Sequence, residues 1–327
     1  MIALLFSRGI RPAFAAAAIF ATGPVLAQED ADKLIGEAVE SLVTEQLDVS
    51  DVAALPIPSE RIGEYVDTNG ARIFYQAGGD GPPMLLVHGY PLSGALFGRV
   101  REALEDDWTV ITLDLRGYGL SEAPEKPHSI EVYAQDAIAL LDHLGIEQAV
   151  IGGMSMGGPI TLAMYQMAPE RFSGMILIDT IASAAPPPEA GLWRGVETVI
   201  AENDSLEPII PALIPDMLTG ETRLTDPSFA NYLTKVMQGA GVPAGRGGAI
   251  ALAERPDFTD MLTQIEVPTL VIVGVEDALY PVQTSRDMVS AIPNATLAIL
   301  PGGSHAAVFE AAGNAVAAIS AWGQTVQ

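Results

Sequence analysis

The chain has 327 residues, 41 acidic against 16 basic, a formal net charge of −25 and no cysteine. The lack of cysteine excludes a disulfide scaffold, thiolate metal sites and a cysteine nucleophile, and the charge disfavours nucleic acid or an anionic membrane face as partners. Apolar residues at 49% and charged ones at 17% argue against disorder, and a chain of this length can bury a sizeable core. A neutral or cationic small molecule is the expected ligand, with the acidic excess keeping the surface soluble.

Residues 1–27 carry Arg8 and Arg11, then the apolar run from Pro12 to Ala21, and end in Val25-Leu26-Ala27 before Gln28-Glu29-Asp30. A positive start, a short apolar stretch and small residues before a cut form a secretory signal. The apolar run is shorter than the ~20 residues a spanning helix needs, so cleavage after Ala27, with no stable membrane anchor afterwards and a periplasmic or secreted product, is expected. Residues 28–60 read as an acidic amphipathic helix over 31–47, with Leu34, Ile35, Ala38, Val39, Leu42, Val43 and Leu47 at helical spacing, followed by a linker around Pro56 and Pro58.

The runs Glu64–Asp67 and Ala71–Tyr75 flank Asn69-Gly70, a strong hairpin signal. From residue 84 the chain alternates buried strands (Met84–Val87, Thr109–Leu113, Ala149–Gly152, Met175–Ile178, Thr269–Val273, Thr296–Leu300) with helices near 131–144, 156–168, 282–291 and 306–321. That rhythm predicts a mostly parallel sheet flanked by helices, an α/β fold. About 90 residues separate Ile178 from Thr269, far more than a crossover requires, so 186–257 is expected to be an inserted helical cap between a first core part (61–185) and a second (258–327).

The strand ending at Ile151 runs into Gly152-Gly153-Met154-Ser155-Met156-Gly157-Gly158 and then a helical stretch. A serine between glycines at a strand-to-helix turn is a nucleophile elbow. It would raise the Ser155 hydroxyl above the sheet at a helix N-terminus that favours a developing anion. Of four histidines, His128 lies in a polar loop and His143 near a helix end. His88 follows a strand in His88-Gly89-Tyr90-Pro91, and His305 follows the last strand in Gly302-Gly303-Ser304-His305. Sites in open parallel sheets form beyond the carboxyl ends of the strands, which makes His305 the expected base. The orienting acid is expected to be Asp277, with Glu276 pointing to solvent and Asp179 as a third candidate.

These motifs, together with Asp114-Leu115-Arg116-Gly117-Tyr118-Gly119-Leu120-Ser121 and Gly274–Pro281, resemble the α/β-hydrolase superfamily from about residue 60 to 325. Their wording is most similar to the serine carboxylesterase and enol-lactonase-like branch. The resemblance implies Ser155 as nucleophile, His305 as general base and acid, Asp277 as orienter, and an oxyanion hole from the backbone N–H groups of Met156 and Tyr90. It also implies structural roles for His88, Asp114 and Arg116. Met154, Phe97, Leu279 and Tyr280 are candidates to line a pocket for a small carboxylic ester or lactone. No histidine pair or carboxylate cluster has ligand spacing, and neither a metal nor another cofactor is expected. A cofactor-free perhydrolase or haloperoxidase shares the motif. An aminopeptidase would need acids in the cap, for which Glu189, Glu197 and Glu202 are candidates, and a non-catalytic binding protein would need no triad at all.

Overall fold

The computed structural model describes residues 55–57, 61–122 and 128–326. The expected signal segment and acidic helix lie outside them. Among the described residues the first strands form an antiparallel hairpin, β1 (Glu64–Thr68) and β2 (Ala71–Gly78), paired from Glu64↔Tyr75 to Thr68↔Ala71. Its two turn residues, Asn69 and Gly70, have φ of 46° and 76°, the positive values a tight hairpin turn demands and that these residue types tolerate.

Six further strands complete one eight-stranded sheet: β3 (Pro83–Val87), β4 (Thr109–Leu113), β5 (Ala149–Met154), β6 (Phe172–Ile178), β7 (Thr269–Gly274) and β8 (Ala295–Leu300). The spatial order is β1-β2-β4-β3-β5-β6-β7-β8. All pairings from β4 to β8 are parallel, and β1 and β2 add an antiparallel edge. The central strands β5 and β7 are buried at every position, which is why they read as unbroken apolar runs: helices cover both faces. The edge strand β1 instead alternates exposed and buried residues toward its end.

Core helices α1 (Gly98–Leu104), α2 (Ile130–His143) and α3 (Gly157–Met167) precede β6. Five more follow it before β7: α4 (Pro187–Asn203), α5 (Ile210–Met217), α6 (Gly220–Thr225), α7 (Pro227–Gln238) and α8 (Val242–Ala253). The chain closes with α9 (Val282–Ala291), α10 (Ala307–Glu310) and α11 (Ala312–Gly323). Helix α2 packs on α3, while α11 packs on α1, giving the sheet its two covers. The last helical stretch, expected to be continuous over 306–321, is broken at Ala311, whose ψ of 44° leaves the helical region.

The five helices between β6 and β7 pack largely on one another, α4 against α8 and α5 and α6 against α7. Their two connections to the sheet are clamped together. The Phe258 N–H donates to the Ala182 carbonyl at 2.8 Å. Arg255 donates to the Ser183 carbonyl at 2.8 Å and to both Glu189 carboxylate oxygens at 2.6 and 2.9 Å. Among the described residues no helix is long and apolar enough to cross a membrane.

Candidate active site

Strand β5 ends at Met154 and α3 begins at Gly157, so the chain must reverse within two residues. Ser155 takes the turn with φ of 52°, a left-handed conformation that costs a non-glycine residue roughly 1–3 kcal/mol. The surroundings hold it there. Its N–H donates to the Ile178 carbonyl at 2.9 Å, and its carbonyl accepts from the Gly158 N–H at 2.9 Å and the Thr180 hydroxyl at 2.6 Å. A Cβ on Gly153 would run into the Gly157 carbonyl, so the turn closes only with hydrogen at that position.

The Ser155 hydroxyl lies 2.9 Å from His305 Nε2, and His305 Nδ1 lies 2.9 Å from Asp277 Oδ2. All three residues are buried. An ionised carboxylate only accepts, so Nδ1 carries the proton and Nε2 is left to accept from the serine. The other Asp277 oxygen accepts from the N–H groups of Leu279 and Tyr280 at 2.8 and 3.0 Å, which fixes the carboxylate's orientation. The three residues stand beyond the carboxyl ends of β5, β7 and β8, where three separate loops converge.

The two other acid candidates do not reach His305. Glu276 is exposed. Asp179 is buried with φ of 44°. Its oxygens accept from the Gly274 N–H at 2.8 Å and the Ala307 N–H at 3.1 Å, so it ties together the loops that carry Asp277 and His305. Burial and the charge of Asp277 hold its carboxyl well above the usual carboxylate range.

Two backbone N–H groups lie next to this site, on Tyr90 and Met156, the residues that follow Gly89 and Ser155. A Cβ on Gly89 would come within 2.8 Å of the Ser155 Cβ, so the turn carrying Tyr90 lies directly against the serine. Among the described residues the N–H groups of Tyr90 and Met156 enter no hydrogen bond, although both residues are buried. Buried N–H groups are seldom left unpaired, and two of them beside a serine on such an elbow fit a developing oxyanion. The turn is braced from below. The His88 ring accepts from the Leu115 N–H at 3.0 Å through Nε2, so Nδ1 carries the proton and donates to the Gly89 carbonyl at 2.8 Å. Asp114 accepts from the Gly94 and Leu120 N–H groups, both at 2.8 Å, and from Arg61 at 2.7 and 2.9 Å. Arg116 makes a buried two-pronged pair with Asp136, both contacts at 2.6 Å.

Of the residues expected to line a pocket, Leu279 and Tyr280 are partly exposed, and the Tyr280 ring stands edge-on to His305 with centroids 5.6 Å apart. Met154 and Phe97 have no exposed surface and lie in the core, Met154 because it is the last residue of a fully buried strand. Trp193, which the sequence did not single out, stands edge-on to Tyr90 at 5.4 Å. The cap acids are spoken for or turned away: Glu189 pairs with Arg255, Glu197 with Arg246 at 2.7 Å, and Glu202 is exposed. Glu310, also unflagged by any local pattern, is buried and bonded to the residue preceding His305.

A serine on a strand-to-helix elbow, hydrogen-bonded through histidine to aspartate over the carboxyl ends of a mostly parallel sheet, is the arrangement of an α/β hydrolase. The chain belongs to the alpha/beta hydrolase fold family, which it matches over residues 82–312. It is 32% identical over 203 residues to 3-oxoadipate enol-lactonase 2 of Acinetobacter baylyi, covering 60% of this chain and 72% of that protein. It is 29% identical over 257 residues to a putative non-heme chloroperoxidase of Synechocystis, covering 72% of this chain and 88% of that protein. Among solved structures, a thermophilic esterase from Thermogutta terrifontis superposes with a TM-score of 0.76 at 32% identity, over 82% of this chain and 99% of that one.

Proposed function

We propose that the protein is an exported serine hydrolase that cleaves a small carboxylic ester or lactone through an acyl-enzyme. The observation that carries this reading is the unbroken relay of two 2.9 Å contacts from Ser155 Oγ through His305 to Asp277. In the first step Ser155 Oγ attacks the carbonyl carbon while His305 Nε2 takes its proton, and Asp277 stabilises the imidazolium. The free N–H groups of Tyr90 and Met156 receive the negative charge on the carbonyl oxygen. The imidazolium then gives its proton to the departing alkoxide, which for a lactone stays tethered to the acyl group. Water, activated by the same imidazole, releases the acid and restores Ser155.

The Tyr280 ring edge beside His305 and the Trp193 ring against Tyr90 suit an apolar acyl or ring substrate of modest size. The likeness to an esterase and an enol-lactonase supports the same class. Glu189 and Glu197 are paired with arginines, which disfavours their use to hold the substrate amine of an aminopeptidase. A panel of p-nitrophenyl esters, simple lactones and amides tests the reading. Ester or lactone turnover that Ser155→Ala abolishes in a folded protein supports it, and activity retained in Ser155→Ala overturns it. Perhydrolysis is the second reading, favoured by the likeness to a protein named as a chloroperoxidase. Peracid formation outrunning ester hydrolysis in hydrogen peroxide would select it. Export rests on the pattern of residues 1–27, and N-terminal sequencing of the secreted form should begin at Gln28.

A further inference from the structure

Glu310 is only 8% exposed, and its carboxylate is filled by neutral donors from two distant segments. One oxygen accepts from the Thr219 N–H and the Thr219 hydroxyl, both at 2.8 Å. The other accepts from the Ser304 N–H at 2.8 Å. Thr219 lies in the cap between α5 and α6, and Ser304 immediately precedes His305. A buried carboxylate is costly unless such bonds compensate it, and an apolar side chain would serve as well if filling space were the whole role. The two segments are joined directly too. The Ser304 hydroxyl and the His305 N–H both donate to the Asp216 carbonyl, at 2.9 and 3.3 Å. The Ala306 N–H donates to the Met217 carbonyl at 2.9 Å. The backbone of His305 is therefore anchored to the cap.

Building on the serine-hydrolase reading above, we propose that Glu310 is a positioning residue that joins cap residues 216–219 to the His305 loop, so that the cap sets the alignment of His305 Nε2 on Ser155. Glu310 has no bond to Ser155, His305 or Asp277 side chains and acts only through the backbone it holds. A small misplacement of a reacting group is enough to lower turnover by about 100-fold, whereas substrate contacts are left in place. Glu310→Gln keeps the side-chain shape but sets an amide N–H against the donors.

The experiment counts reactive sites in one aliquot with a fluorophosphonate taken to complete labelling and measures ester turnover on a second, unlabelled aliquot, so that kcat is expressed per labelled serine. Glu310→Gln is expected to lower kcat per labelled serine by about 10- to 100-fold with KM little changed. A merely structural role would reduce the number of labelled sites and leave their kcat intact, and that result overturns the proposal. Thr219→Val deletes the cap-side hydroxyl donor to Glu310 and with it the acceptor for the Thr222 N–H at the start of α6, while the Thr219 N–H bond to Glu310 stays. It is expected to lower kcat per labelled serine several-fold in the native background and to add nothing to Glu310→Gln. Additive losses overturn the coupling. Should Glu310→Gln fail to fold, Thr219→Val alone decides, and an unchanged kcat counts against the proposal. A native chain that neither labels nor turns over ester overturns the serine-hydrolase reading itself, and with it this inference.

Discussion

At Ser155 the backbone is held in a conformation serine ordinarily avoids, and the three bonds to its N–H and carbonyl are what sustain it. The hydroxyl's neighbours are equally determined. Because Asp277 accepts from Nδ1 of His305, Asp277→Asn would let that nitrogen accept an amide proton and would turn the Nε2 proton toward Ser155. Turnover by the variant is expected to fall by about 10⁴-fold with the fold retained, checked by steady-state kinetics alongside thermal melting. His88 gives a pH prediction. Burial lowers its pKa from 6.5 to about 4, outweighing the bond to the Gly89 carbonyl, which favours the charged ring. Above pH 6.5 the ring is neutral whether the chain is folded or not, and its contribution to stability is fully present. As pH falls from 6.5 to about 4 the unfolded chain takes up a proton that the folded chain refuses, and stability drops by up to about 3 kcal/mol. Urea unfolding over that range is expected to show this loss, and His88→Gln, which keeps a donor and an acceptor without titrating, is expected to remove it.

Among the elements, the strands were the most legible, because central strands covered on both faces need a local run of apolar residues and nothing else. The hairpin at Asn69-Gly70 was legible for a similar reason, as the turn chemistry sits in two residues. The helices between β6 and β7 could be anticipated only as an insertion of a given length. They run from 6 to 17 residues, and prolines open four of the five and interrupt one at Pro215, so no long unbroken periodic run marks them. No local period marks the break at Ala311 either. The clamp on this insertion invites a direct test. Arg255 is fully buried, and Glu189 is its partner, so Arg255→Met leaves a carboxylate uncompensated and is expected to cost about 3–5 kcal/mol. Arg255→Met combined with Glu189→Leu should recover most of that loss in thermal melts. Equal destabilisation of the single and double variants would show that the pair is not what holds the two connections.

For the molecule as a whole, a net charge of −25 implies self-repulsion in the compact state. Raising salt from about 0.01 M to about 1 M shortens the screening length from about 30 to 3 Å, so the melting temperature is expected to rise across a salt series. A flat response would mean that the acids are already spaced or paired. The composition, the strand–helix alternation of a parallel α/β fold, the elbow and the short menu of acids and bases could all be read from the sequence, since each is encoded within a stretch of a few residues by period, turn chemistry or spacing. The sequence puts Asp277 first among three carboxylates, but the tertiary structure decides which one meets His305, because Asp277, Asp179 and Glu276 all stand at strand ends and differ only in where their loops fold. The N–H groups of Tyr90 and Met156 follow only from the resemblance of the motifs that carry them, and the aromatic edge of Trp193 and the bridge at Glu310 leave no local signal at all. Those contacts join residues 28, 91 and 150 positions apart, and burial with hydrogen-bond satisfaction across the packed chain, which no local pattern records, decided them.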